Sequence, residues 1–460
     1  MTQDVPHHGG SAVVSYMRTT DEALNELSRG LHCRGVGVNV VLCHSGEREA
    51  ERDAAVWPDA VVATHGIRFD RLRAADVDAL DGLSADVLAQ TLPIAERSIR
   101  RRKDVNVSHL IQTVAAEHRR ARELVERTKP SIGLFLAQPE RLLDFFVHLF
   151  LKEARVLCIY PRIAPISGRV IFSHSRDAPL LAAHDRLAPE TLLLQSAESE
   201  SGEFQRHPIG GTGIQDVISW TSAARRGTLS LATKVRTRHR LNMKGQRTEL
   251  VGSRNFRGVI VSYHLHLEPE ATTYPANGFR SNQLNHIALL SEWVGGSGKV
   301  LVKEHPVMLA RRTSLPSAVR NRTRTFYEAI RRLPNVVLLN PSGIAQHHVE
   351  HSDVVATVGG NVGWEALAAG VPVVHFGHAS YENAIGAHRW TGGLLLNEVR
   401  QRSRSEVADA AQATMRLLVQ NSHDDETPNR RVGRARALLA ALDALHAAGR
   451  PREATENRFP

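Results

Sequence analysis

Two stretches of the chain gather residue types that can hold an anion. VKEHP at 302–306 closes an apolar run, KVLVKE, and puts Lys303 and His305 two residues apart, so strand alternation turns both the same way. An imidazole there can donate to a phosphate oxygen, and an ammonium can supply a second donor. Further along, SDVVATVGGNVGWEALAAGVPVVHFG at 352–377 reads as a buried strand (354–358), a glycine turn on Gly359, Gly360 and Gly363, a helix from about 364 to 369, and a second buried strand (371–376). Backbone N–H groups at the turn, those of Asn361 and Val362 included, then face outward at the positive end of a helix dipole. Glu365, in the first helical turn, complements that dipole and can accept both hydroxyls of a ribose. Each feature also has an ordinary structural role: histidines cap strand ends, and tight turns need glycine with or without a ligand.

A third segment, YHLHLEPEATTYP at 263–275, follows another apolar run and brings together His264, His266, Glu268, Glu270, Thr272 and Thr273. Imidazoles and carboxylates so placed can move a proton or hold a sugar hydroxyl. His266 and Glu270 are the catalytic candidates; Glu268, Thr272 and Thr273 are candidates for contact with a sugar or an acceptor. The HxH spacing offers two metal ligands without an evident third, so no metal site is expected. Asp76 and Asp78 form a DxD in polar, helical surroundings and read as a solvated helix face.

These segments need strands and helices to hold them. The first half alternates: SAVVSY is a strand, DEALNELSRGL a helix with Asp21 at its N-cap, GVGVNVVLC a strand, and VVATHGI another. Helical patterns run through 74–90 and 107–128. A Lys129-Pro130 break leads to SIGLFLA, a helix over 140–152 and the strand RVLCIY. Residues 178–253 are irregular, with glycines at 202, 210, 211 and 213 and one helical stretch at 216–226. Alternation resumes with RGVIVSY, a helix over 283–293, KVLVKEH, a helix over 322–333, NVVLLN and the glycine-turn block. Two more helical patterns fill 406–448, before a frayed end. Strands alternating with helices imply parallel sheets covered on both faces. The expected fold is α/β, with two Rossmann-like domains whose parallel sheets face a cleft: 1–190, an irregular interdomain region at 191–255, 256–425, and a C-terminal helix and tail at 426–460.

With 42% hydrophobic and 23% charged residues over 460, the composition is that of a folded globular chain of two domains. The N-terminus lacks a basic start followed by an apolar core, and no apolar run is long enough to cross a bilayer, so a cytoplasmic address is expected. Three cysteines, Cys33, Cys43 and Cys158, without CxxC spacing suggest neither disulfides nor zinc, and read as buried thiols. The net charge of +10 is spread along the chain apart from two basic clusters, 97–103 and 225–247. Solvated surface is their simplest reading, and contact with a polyanionic acceptor or with the anionic inner face of the cytoplasmic membrane comes next. With aromatics at 5% and no recognition motif, nucleic acid is not an expected partner.

HLEPEATT at 266–273, Gln283, VKEHP at 302–306, Tyr327, SDVVATVGGNVGWEAL at 352–367, GVPVVHFG at 370–377 and Tyr381 resemble the capsular polysaccharide biosynthesis glycosyltransferases, relatives of the β-Kdo transferases with a two-Rossmann GT-B fold. The motifs cover mainly the C-terminal half. The resemblance implies that His305 contacts the nucleotide phosphate of a donor and that Glu365 helps hold its ribose, as in bacterial sialyltransferases with an HP motif. It implies a nucleotide-sugar as donor substrate, a CMP-sugar among the candidates, and a polysaccharide or glycolipid acceptor bound by the N-terminal domain. No cofactor or metal is implied, because His305, backbone N–H groups and basic side chains can stabilise the leaving phosphate. GGNVG replaces the serine-rich pair of the sialyltransferases, and the first half lacks a QxxxD or acid-acid-Gly motif, so it offers no catalytic base. Nucleotide-sugar 2-epimerases and polymer glycerophosphotransferases share the fold, and a non-catalytic scaffold of a polysaccharide assembly complex is the reading from another class.

Overall fold

The computed structural model describes residues 10–16, 21–43, 47–64, 83–99, 107–139, 141–163, 169–173, 258–266, 268, 282–305, 322–339, 345–420, 423–424 and 430–448. The chain divides into two compact units: Met1–Leu83 with Asn106–Arg176 and Val419–Pro460, and Ser84–Val105 with Asp177–Leu418.

In the first unit the chain runs β1 (Gly10–Tyr16), α1 (Asp21–Cys33), β2 (Val36–Cys43), α2 (Glu47–Val56) and β3 (Val61–Thr64). After α3 (Ala85–Ile99), which belongs to the second unit, come α4 (Val107–Thr128), β4 (Ile132–Phe135), α5 (Leu142–Glu153), β5 (Leu157–Ile163) and β6 (Arg169–Ser173). The sheet order is β13-β6-β5-β4-β1-β2-β3, where β13 (His423–Asp424) comes from the chain's end. β1 to β5 are mutually parallel, and β6 and β13 pair antiparallel. The first six strands thus lie in the order 3-2-1-4-5-6, that of a Rossmann sheet. Leu24, Leu27 and Leu31, spaced along one face of α1, pack on Val14 and Val41 and on Leu438, Leu439 and Leu442 of the last helix, α12 (Arg430–Ala448). That approach needs Gly30, where a Cβ would come 2.2 Å from Leu439 Cδ1.

The second unit continues with β7 (Ile260–His264), α6 (Gln283–Val294), β8 (Lys299–Lys303), α7 (Arg324–Arg332), β9 (Val336–Leu338), α8 (Ala345–Glu350), β10 (Val354–Thr357), α9 (Val362–Ala368), β11 (Val373–His375), β12 (Ala387–Arg389), α10 (Leu396–Val399) and α11 (Arg404–Gln420). Its six strands are all parallel, in the order β12-β11-β10-β7-β8-β9, again the Rossmann order. The period of two divides each strand: Val261, Tyr263, Val300, Val302, Val354, Ala356 and Val374 face a core filled by Ile287 and Leu290 of α6 and Tyr327 and Ile330 of α7. Asn282 and Thr323 start those helices, their side chains accepting from the N–H groups of Asn285 and Phe326 at 3.3 and 3.1 Å.

Two Rossmann-like units are therefore present, as the alternation of strands and helices predicted. Three local expectations change. The helix after the glycine turn begins at Val362, so Gly363 sits in its first turn, not in the turn ahead of it. The helix expected over 74–90 runs instead over Ala85–Ile99; 65–82, with the DxD, lie outside the described residues. Cys33, as the last residue of α1, is exposed, while Cys158 on β5 is buried. The irregular region at 178–253 with its basic cluster, the side chains of the first basic cluster, and the terminal 449–460 are also outside the described residues.

Candidate functional site

In a sheet of this order the strand sequence reverses beside its first strand, and ligands bind beyond the carboxyl ends there. In the second unit that point lies between β7 and β10. The last residues of the strands fall level with one another. His264 pairs with Lys303 across β7 and β8, Thr357 with His375 across β10 and β11, and His375 with Arg389 across β11 and β12. Ala356 pairs with Tyr263, which brings Thr357 beside His264. Parallel register keeps paired side chains on one face, so Lys303, His264, Thr357, His375 and Arg389 form a polar row at the end of a sheet whose strands are mostly apolar.

The row is mostly buried, and burial sets its charges. Burial pushes Glu365, which faces it from the first turn of α9, up to about 7, with the Lys303 ammonium opposing. Lys303 is itself lowered by burial, against the attraction of Glu304 and Glu365. His264 falls to about 3 through burial, then through Lys303, His348, His266 and His305. His266 falls to about 3 through burial and the neighbouring His305 and Arg322, and His305 to about 4 through burial, Arg322 and Lys303. At neutral pH these imidazoles are uncharged, each offering one donor and one acceptor, beside one ammonium and one carboxyl poised between its two forms.

Beyond the row, hydrogen bonds fix the loops. Gln283, at the start of α6, accepts the His266 N–H at 2.6 Å and donates to the His266 carbonyl at 3.1 Å and to Glu268 Oε1 at 2.7 Å. The His266 ring bonds through Nε2 to Thr357 Oγ1 at 2.7 Å. Gly360 leaves room for that ring, since a Cβ there would lie 2.4 Å from His266 Cε1. At Gly359 a Cβ would lie 2.3 Å from the His378 carbonyl oxygen, and at Gly363 2.1 Å from Tyr381 Cζ. Glu304 accepts the His305 N–H at 2.8 Å, the Tyr327 hydroxyl at 2.6 Å and Arg322 Nε at 3.2 Å. The buried Arg322 also donates through Nη1 to Glu268 Oε2 at 3.3 Å and through Nη2 to the His266 carbonyl at 2.5 Å, and lies over the Phe326 ring at 4.6 Å.

The structure thus brings His266, Lys303, His305, Gly359, Gly360, Asn361, Val362, Gly363 and Glu365 to one end of one sheet. Glu268 is there too, its two oxygens bonded to Gln283 and Arg322. Glu270, Thr272 and Thr273 lie outside the described residues. Sequence reading passed over Thr357, Glu304, His348 and Arg322. Strand register would have found Thr357, and Glu304 sits inside VKEHP, but Arg322 lies in a basic run, NRTR, that resembles surface. Among the described residues there is no group of three metal-ligating side chains, and no helix is long and apolar enough to cross a membrane.

No protein-family model matches the chain, and no curated protein matches it. Solved structures similar to it include Anabaena Alr3699/HepE in complex with UDP and glucose, with 11% identity, 95% of this chain and 100% of that one covered, and a TM-score of 0.28. Another is the UDP-GlcNAc 2-epimerase of Neisseria meningitidis bound to UDP-GlcNAc, with 10% identity, 95% and 100% covered, and a TM-score of 0.22. A third is the β-Kdo 2,7 transferase KpsC of Thermosulfurimonas dismutans, with 14% identity, 72% and 88% covered, and a TM-score of 0.29. TM-scores this low add nothing to the strand order, on which the fold assignment rests.

Proposed function

We propose that the second unit binds a nucleotide-activated sugar and that the protein is a glycosyltransferase passing the sugar to a polysaccharide or glycolipid acceptor. The observation that carries this reading is the gathering of Lys303, His305, His266 and Glu365 where the strand order of a Rossmann sheet reverses. In this reading Lys303 and His305 donate to the donor's phosphate oxygens, and Glu365 accepts from its ribose hydroxyls. As the glycosidic bond to the nucleotide breaks, negative charge grows on the leaving phosphate. A desolvated ammonium and neutral imidazole donors stabilise that charge without a metal ion.

We assign to His266 the proton of the acceptor hydroxyl, with Glu270 as the second candidate. A bound phosphate would raise the His266 imidazole from its low resting value toward a useful range for a base. Cytidine nucleotides follow from the sequence resemblance, and uridine nucleotides accompany two of the similar structures.

The test is a thermal-shift panel of CMP, CDP, UDP, GDP and ADP on the wild type, His305→Ala and Glu365→Ala. A ligand at a hundred times its Kd stabilises the native state by about 2.7 kcal/mol. A shift selective for one base and strongly reduced in both variants is expected. No shift with any nucleotide would refute the assignment.

A further inference from the structure

We infer that Arg322 is a positioning residue that sets the two histidine-bearing loops of this site, so that the reach of His266 and His305 toward a ligand depends on one buried guanidinium. The inference rests on the nucleotide-sugar reading above. Three of its donors go to three different places: Nε to Glu304, Nη1 to Glu268 and Nη2 to the His266 carbonyl. Glu304 immediately precedes His305 and accepts that residue's own N–H, so the bond from Arg322 to Glu304 fixes the backbone from which the His305 imidazole projects. Glu268 and the His266 carbonyl belong to the loop that follows β7, and Gln283 grips the same two points from α6. One planar group therefore ties the loop after β7 to the loop after β8.

Its own position is fixed from the other side. Arg322 lies just before α7, whose Phe326 ring it covers and whose Tyr327 hydroxyl donates to the same Glu304 oxygen that Arg322 reaches. With Arg322 and both carboxylates largely removed from water, the ion pairs hold one geometry far more firmly than exposed pairs would. The fork of a guanidinium makes three divergent bonds that an ammonium on a flexible stem does not reproduce. The Nε, Nη1 and Nη2 bonds of Arg322 all end on protein atoms of the two loops, and through them it acts on His266 and His305.

The experiment measures the Kd of UDP and of CMP by calorimetry on the full-length wild type, Arg322→Lys, His305→Ala and the double variant, with the melting temperature of each. Losing a hydrogen bond to a charged phosphate weakens affinity by roughly tenfold to a hundredfold. Arg322→Lys is expected to weaken binding at least tenfold. In the His305→Ala background the same substitution should cost markedly less affinity while lowering the melting temperature just as much as it does alone. A purely structural arginine would move stability in both backgrounds and leave affinity alone. Wild-type affinity in Arg322→Lys, or losses that simply multiply in the double variant, would overturn the inference while leaving the nucleotide reading intact. Failure of the wild type to bind either nucleotide would overturn both. Should Arg322→Lys not fold, Glu304→Gln, which keeps the shape and two of the three arginine bonds, carries the same prediction.

Discussion

Glu365→Gln should make the protein more stable at alkaline pH and leave it unchanged in acid. Burial raises this carboxyl from an ordinary 4.5 to about 7 in the folded chain. A raised value means that the folded state holds a proton the unfolded state has already lost. The stabilising contribution of that proton is complete below pH 4.5 and disappears as the pH climbs through about 7. The gap of roughly 2.5 units, at about 1.36 kcal/mol per unit, sets a ceiling of about 3 kcal/mol. Glu365 keeps some contact with solvent, and screening brings the expected penalty nearer about 2 kcal/mol. Glutamine has the same shape and stays neutral, so it avoids the penalty at every pH. For a unit of this size each kcal/mol moves the melting temperature by about 2–4 °C, which gives roughly 4–8 °C in favour of the variant at pH 8.5. Differential scanning calorimetry of both proteins at pH 5 and pH 8.5, without ligand, reads the difference directly. A difference that is the same at both pH values, or absent at pH 8.5, would refute the burial argument and with it the view of Glu365 as a poised carboxyl.

Two further comparisons separate neighbouring effects. Gly359→Ala presses a methyl to 2.3 Å from a backbone carbonyl oxygen that cannot step aside, whereas Gly360→Ala meets the movable end of the His266 side chain at 2.4 Å. The first should cost about 3 kcal/mol or more in urea unfolding, and the second about 1 kcal/mol while releasing His266 from Thr357 and weakening nucleotide binding; equal losses of stability would contradict this. In the first unit, Ser15 donates to the buried Asp144 carboxylate at 3.1 Å. Ser15→Ala should destabilise that unit by about 1–3 kcal/mol and leave nucleotide affinity at the wild-type value, and an affinity change measured by calorimetry would count against the placement of the site in the second unit alone.

The strands were legible because fully buried parallel strands are short apolar runs, and Ile260–His264, Lys299–Lys303 and Val354–Thr357 are bounded by glycine, proline or polar turns. The helix Val107–Thr128 was equally plain, since its apolar positions recur at helical spacing and Pro130 ends it. The onset of α9 was misread because Gly363 looks like a helix breaker. Its real constraint is the Tyr381 ring packed against it from a distant part of the fold. Arg322 was invisible for the same reason: nothing local distinguishes an arginine at the centre of two ion pairs from one in solvent. The packing of α12 on α1, fastened by Arg34 and Asp443 across 409 residues, likewise has no local signature.

The HxH of β7 shows where sequence spacing stops being informative. Period two puts His264 and His266 on one face, and on that ground alone they look like a pair. The strand ends at His264, whose ring bonds to Ser262 Oγ at 3.0 Å and lies level with Lys303 and Thr357, inside the polar row. His266 stands past the end of the strand, where its backbone is held by Gln283 and Arg322 and its ring lies against Gly360. Burial leaves both uncharged, yet the two differ in what holds them. His264 is fixed by sheet register, which survives almost any single loop substitution. The His266 ring bonds Thr357 of β10, but its backbone is fixed by side chains from α6 and from the residue ahead of α7, so a change at Gln283 or Arg322 moves that backbone without disturbing the sheet. Variation in how this site holds a ligand should therefore enter through His266 and the residues that position it, while the Lys303–His264–Thr357 row stays in place as the platform beneath.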